Sequence, residues 1–346
     1  MRMERVSTLN LSLLLRASVM SAQDRLASAQ TEATTGRHHD VGLALGTKVG
    51  SDIRWRIRLD ALAKLADSVE LAASRADLTQ STLDAVAKLG SSFMETLTGA
   101  RGSASGQSTA SSAARSTLQT LVDLMNVTYD GQFVFGGINS ASPPIRTYAG
   151  GSAEAAVNSA FFAAFGFLPT DSATATITGP AMKSFLDGPF AALFTSPAWE
   201  ADWSAASSVS LTARLGPGHV VDASTTPARA GIAALAEALT MIFALGEGNL
   251  GQSAFEEVAD KALSLVANAQ QALGTERTRV GLAQEQMTSA LDRFQTQTTI
   301  LTRNVAELEA VDLYEAASRV NVLMSQLEVS YTLTGKLVGL SLVNFI

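Results

Sequence analysis

Hydrophobic positions recur every seventh residue over two long stretches of this 346-residue chain, one in each half. From Trp55 the spacing runs through Leu62, Val69, Ala76, Leu83, Gly90 and Leu97, and Leu59, Ala66, Ala73, Ala87 and Met94 form a companion line broken at Gln80. Such a seam predicts one helix of about 44 residues, roughly 66 Å long at 1.5 Å per residue. The Gly- and Ser-rich run from Gly99 to Ser112 predicts its end, and a second helical pattern follows on Ala114, Leu118, Leu121 and Met125. In the other half, Ser253 and Glu256 read as a capping box. After it, Ala259, Val266, Leu273, Val280, Met287, Phe294, Leu301 and Leu308 hold one heptad position. Near Val311, Asp312 and Leu313 the register slips, then resumes as Leu313, Val320 and Leu327 with Met324 and Tyr331 beside them. A slip of this kind predicts a local change in winding and a domain boundary.

Both ends carry further apolar stripes. Leu15, Val19, Ala22, Leu26, Ala29 and Ala33 predict an amphipathic helix. Arg2 and Arg5 ahead of Leu9 to Leu15, with Ser18, Ser21 and Ala22 after, have the layout of a secretory signal. Arg16 interrupts that apolar run and the stripe crosses the supposed cleavage point unbroken, so the segment is read as a helix that stays. At the other end, Val329 to Ile346 has Lys336 as its only charge but also Ser330, Thr332, Thr334, Gly335, Gly339, Ser341 and Asn344. That polarity predicts a helix facing protein rather than lipid. Burying every apolar side chain of the tail from Glu309 would not offset the entropy of ordering it, so the tail needs cover from other helices. The candidate assembly interface is therefore Leu15, Val19, Leu26, Val320, Met324, Leu327, Tyr331, Leu337, Leu340 and Leu342. Two incomplete ends on one chain imply folding coupled to assembly, and such contacts repeated head to tail give rings or helical layers.

All eight prolines lie between Pro143 and Pro227, leaving 142 residues before them and 119 after them free to form long helices. Residues 138–227 also hold seven of the fourteen Phe and two of the three Trp, enough for this segment to fold around its own aromatic core. Helical pattern spans Ala153 to Phe165 and Ala181 to Phe194; alternation at Val209, Leu211, Ala213 and Leu215 predicts a strand, Gly216-Pro217-Gly218 a turn, and His219 to Asp222 the returning strand. Ile232, Leu235, Leu239 and Ile242 restore the helical period.

Composition narrows the function classes. A net charge of −7 and a pI near 5.1 leave no basic surplus for nucleic acid. Cys is absent, which removes disulfides, thiolate catalysis and Cys-bound zinc. His38-His39-Asp40 lacks a spaced second pair of ligands and reads as a solvated loop. Gly42, Gly46 and Gly50 with Thr47 and Lys48 lack the order of a phosphate loop and read as a helix break. Asp312 and Glu315 sit one turn apart but read as a solvated or inter-helix pair, and Glu276, Arg277 and Arg279 as ordinary exposed charges. An enzyme could be housed only in the aromatic middle, where Phe161, Phe162, Phe165, Phe185, Phe190, Phe194, Trp199 and Trp203 read better as packed core. No cofactor fingerprint is present, and the reading is of a structural protein.

The stretch GQFVFGG at Gly131 to Gly137, followed by Pro143-Pro144, resembles the Gly-x-Phe-x-Phe-Gly-Gly turn of the FlgL family, the hook-filament junction proteins of bacterial flagella. Glu309, Val311, Asp312, Glu315, Leu327, Glu328, Ser330 and Tyr331, closing with Leu340-Ser341-Leu342, are similar to that family's ending. Its early loop signature is represented here by Thr35-Gly36-Arg37 followed by His38-His39-Asp40-Val41. Flagellin shares the arms and is the alternative. The resemblance implies a mainly α fold, a flagellin-like helical bundle with an inserted small α+β domain. It implies an assembly domain at 1–50 and 309–346, a long-helix bundle at 51–137 and 228–308, and an outer domain at 138–227. It further implies export through the flagellar type III apparatus without a cleaved signal, with an export chaperone possible, and a place outside the cell. The implied partners are the first hook-associated protein (FlgK), flagellin and further copies of the chain itself.

Overall fold

The computed structural model describes residues 8–101, 106–229, 231–246 and 250–343; the side chains of 8–12 and 337–343 lie outside the described residues. Its helices are α1 (Thr8–Thr35), α2 (Val41–Leu45), α3 (Val49–Ala100), α4 (Gly106–Met125), α5 (Ser152–Phe165), α6 (Gly179–Phe185), α7 (Ile232–Gly246), α8 (Gln252–Glu309) and α9 (Leu313–Val343). The strands form two antiparallel hairpins, β1 (Thr128–Tyr129) with β2 (Gln132–Phe133) and β3 (Thr212–Gly216) with β4 (His219–Asp222). The fold is mainly α with a small α+β insertion, as the period of the apolar positions predicts.

The chain divides into two compact units, Leu65–Arg293 and the combined ends Met1–Lys64 with Phe294–Ile346. In the first, α3 and α8 run antiparallel. Arg101 pairs with Asp260 at 2.6 Å, Arg277 with Asp84, and Gln284 donates to Asp77 at 2.5 Å, so one residue number falls as the other rises by the same step. The heptad positions face inward, with Val69, Ala76, Leu83, Leu97, Ala259, Val266, Leu273, Val280 and Met287 all buried. Gly90 holds a seam position because Gln270 crosses it to donate to the Ala87 carbonyl at 2.6 Å. A Cβ on Gly90 would stand 2.6 Å from that amide nitrogen.

Several boundaries differ from the sequence reading. Part of the Gly/Ser run is already helical, since α4 opens at Gly106. Gln252 is the first residue of α8 and Gly251 accepts the first-turn amides of Ala254 and Phe255, so Ser253 lies inside the helix instead of capping it. The pattern from Ala181 to Phe194 is helical but uneven: α6 widens at Leu186–Phe190, where Pro189 removes a donor, and tightens at Ala191–Phe194. Strand β3 starts at Thr212, leaving Val209 exposed ahead of it.

The aromatics form a ladder. Phe161, Phe185, Phe190, Phe194, Trp203 and Trp199 follow one another at ring separations of 5.1 to 5.9 Å. Phe165 is half-buried against it, and Phe162 is exposed. The ladder continues past 138–227, because Tyr148 meets both Trp203 at 5.6 Å and Phe243 of α7 at 5.7 Å. Its core is thus continuous with that of α3, α4, α7 and α8 rather than closed within the middle segment.

The GQFVFGG stretch locks onto α3. Asp130 and Gly131 make the left-handed hairpin turn at φ 50° and 71°, and Val134 and Phe135 plunge into the core. Buried Arg75 of α3 donates to the Phe133 carbonyl and to Gln132 Oε1. Gly137 has φ +60°, and a Cβ there would come within 2.5 Å of the Val209 carbonyl oxygen, so only glycine fits.

Candidate assembly interface

The combined ends are built on the pairing of α1 with α9. Ala22, Ala29, Ala316 and Leu327 are buried, and the small side chains let the helices approach closely. Gln23 Nε2 donates to the Tyr331 hydroxyl at 2.6 Å and Arg319 binds Glu32 at 3.0 Å, which fixes an antiparallel register. Of the predicted interface residues, Leu15, Val19, Leu26 and Val320 are half-buried and Leu327 is buried, so this part of the stripe is covered within the chain. Met324 and Tyr331 are exposed, while the side chains of Leu337, Leu340 and Leu342 lie outside the described residues. The periodicity did not pick out Leu13, Leu14 and Met20 on α1 or Val322, Val329 and Leu333 on α9. These are exposed as well, with Leu14 at 66% and Val329 at 67%. Exposed apolar surface on this scale is characteristic of sites that meet other proteins.

A polar clasp joins the pair to the long helices. Helix α8 stops at Glu309 and α9 begins at Leu313, where the heptad register slips. In the gap Arg37 and Ala310 form an isolated bridge, with His38 N–H donating to the Glu309 carbonyl and Val311 N–H to the Gly36 carbonyl, both at 3.0 Å. The Glu309 side chain is only 1% exposed and takes ion pairs from both Arg37 and Arg56; Arg56 also holds Asp52 at 3.1 Å. Burial alone would push the Glu309 carboxyl up, but the Arg56 and Arg37 guanidiniums outweigh it and hold it below the usual carboxylate range. Gly36, Arg37 and His38, directly after α1, therefore form a docking segment for the α8–α9 break. His38 lies beside Glu32 at 3.6 Å, and Asp40 caps α2 through the Leu43 amide. The glycine-spaced segment after it is a helix break at Gly46, φ 50°.

The exposed Asp312 and Glu315 are solvated as read, and one other charge reading, Glu276, is corrected. Asp312 caps α9 by accepting the Tyr314 and Glu315 amides, and Glu315 pairs with Arg319 at 2.8 Å. Glu276 is no ordinary exposed charge: it is 5% exposed, accepts the Thr225 hydroxyl and pairs with Arg279 at 2.6 Å. Arg279 also reaches Asp222 at 3.2 Å and the Ser224 carbonyl at 2.9 Å, tying the β4 end to α8. Burial opposes ionisation of Glu276, and the bonds from Arg279 and Thr225 reverse this, leaving its carboxyl below the ordinary value. Arg279 is only three residues from Glu276, but Thr225, Asp222 and Ser224 lie more than fifty residues from the groups they bind, which is why local spacing did not reveal the network.

Among the described residues, no cluster of acids and histidines has the grouping a metal ion needs, and no helix is long and apolar enough to cross a membrane. The arrangement offers surface for protein contact: an open apolar face on two paired helices, set by a buried ion-pair clasp.

Residues 6–140 match the family model of the bacterial flagellin N-terminal helical region, and residues 263–346 that of the C-terminal helical region. Together the two halves of that family cover well over half of the chain. No curated protein matches it significantly. Among solved structures, one assigned as a flagellar hook-associated protein of Vibrio parahaemolyticus shares the fold, with a TM-score of 0.54 at 10% identity, over 76% of this chain and 97% of that one.

Proposed function

The chain belongs to the bacterial flagellin family, whose members are structural proteins of the flagellum, and on that premise we propose that it is the adaptor joining the hook-associated layer to the flagellin filament. The observation that carries this reading is the apolar face left open on the paired terminal helices, in which Leu14 and Val329 are two-thirds exposed. Neighbouring subunits cover that face in the assembled tube, so ordering of the ends and incorporation are one event. The partners in this reading are the first hook-associated protein on one side and flagellin on the other. The chain leaves the cell through the flagellar type III apparatus and forms a ring or helical layer with its own copies, with 138–227 outermost.

The GQFVFGG turn, locked by Arg75 and Gly137, and the Leu340-Ser341-Leu342 ending support the junction role over that of filament subunit. The fold shared with a protein assigned as hook-associated is in keeping with it. Removal of Glu328 to Ile346 is expected to abolish incorporation into flagella while Leu65–Arg293 stays folded by circular dichroism and melting. Normal incorporation of the truncated chain would refute the reading. Purified subunits that grow long filaments without cap or partner would instead identify a filament subunit.

A further inference from the structure

Near its start, where the seam begins at half-buried Trp55, α3 presents a second open surface. Ile53 and Ile57 are 50% and 64% exposed, and Arg54, Trp55, Ile57, Arg58 and Ala61 line a groove on that side. Arg54 only reaches Ser51, at 2.9 Å, and Arg58 makes no ion pair or hydrogen bond among the described residues. The groove is therefore apolar at its floor and basic along its edge, and it fits a helix of the opposite make-up: apolar side chains around an acid.

Helix α9 carries that counterpart. Met324, Glu328 and Tyr331 stand at i, i+4 and i+7 on one face; Met324 and Tyr331 are each 52% exposed, and the Glu328 carboxylate has no partner among the described residues. We propose that the α3 groove at Arg54–Arg58 receives the Met324–Glu328–Tyr331 face of α9 from a second copy of the chain, with Arg58 against Glu328. Donor and acceptor are different surfaces, so each copy gives α9 to one neighbour and takes it from another, and the contact continues past two subunits. The inference rests on the assembly reading above and adds the acceptor for the terminal helix.

The absence of Cys makes the test direct. Two full-length chains, one carrying Ile57→Cys and the other Met324→Cys, are expressed together, and the assembled flagella are oxidised. The expected product is a disulfide-linked dimer of the two unlike chains, which is intermolecular by construction. Arg58→Glu and Glu328→Arg are each expected to lower incorporation about tenfold, and the two together to restore it. These residues are exposed, and unchanged melting of each variant excludes misfolding as the cause. No unlike dimer, or no rescue by the double reversal, would overturn the inference. If those results came with a terminal deletion that still blocks incorporation, the adaptor reading would stand and only this contact would fall. A deletion that assembles normally would remove the reading itself.

Discussion

The two compact units of this protein solve the problem of apolar surface in opposite ways. Leu65–Arg293 closes its core: Phe135, Phe161, Phe190, Met125 and Leu83 are fully buried, and the aromatic ladder runs into α7. The combined ends leave apolar side chains open along both α1 and α9 and hold their helices in register with polar bonds, from Gln23 to Tyr331 and from Arg319 to Glu32. Charge follows the same division. Residues 65–293 hold 12 basic and 21 acidic residues, and the combined ends 13 and 11. The net negative charge of the first unit opposes its self-association, and the near-neutral second unit lacks that repulsion. One unit closes its apolar surface within itself, and the other leaves part of it open.

The sharpest way to break that contrast is in the closed core. Phe135→Ala is expected to cost about 3 to 5 kcal/mol, read by thermal unfolding of the full chain. A loss below 1 kcal/mol would mean that the GQFVFGG turn is not a core element at all.

A smaller effect follows from Glu237 of α7, buried with Oε1 unpartnered. Burial pushes its carboxyl up to about 7, against the charge of Lys261 and with that of Asp187. The folded form then holds a proton that the unfolded form releases near pH 4 to 5, so this contribution is complete below that range and is lost as pH rises to 7. Unfolding measured from pH 5 to 8 is expected to show a decline of up to roughly 3 kcal/mol, largely absent in Glu237→Gln. A parallel slope in both proteins would contradict the assignment.

In the open unit the clasp comes next. Glu309→Gln is expected to cost about 2 kcal/mol, because Arg37 and Arg56 lose their shared carboxylate. Faster amide exchange at His38 and Val311 would report it, with Leu65–Arg293 unaffected. Since the Glu309 carboxyl lies below its ordinary value, its stabilisation is complete above that value and disappears as pH falls through the lower folded one; the variant should not show this acid-dependent loosening. Smallest of all is Val329→Ser on the open face, expected to change monomer stability by less than about 0.5 kcal/mol while impairing assembly. Loss of monomer stability without loss of assembly would place Val329 in a core.

The elements legible in the sequence were those fixed by period. Eight heptad positions predicted α8, and the slip at Val311 to Leu313 coincides with the break that separates it from α9. Of the candidate interface, the sequence showed that the ends carry apolar stripes, but not that the whole α1 stripe, with Val320 and Leu327 of α9, is half-buried or buried within the chain. That is a tertiary fact: Leu327 and Ala22 cannot be told from Met324 and Met20 by hydrophobicity alone. The buried charges were illegible for the same reason. Glu276 accepts from the Thr225 hydroxyl, its neighbour Arg279 is tied to the Ser224 carbonyl, and Glu309 pairs with Arg37 and Arg56, contacts distant in sequence that local spacing does not connect.

Amide hydrogen exchange on the monomeric full-length chain compares the two units in one experiment. The account predicts that α4 and α7 exchange only on global unfolding, whereas α1 and α9 exchange orders of magnitude faster and gain protection only in the assembled flagellum. Ends as strongly protected in the lone monomer as α7 would contradict it.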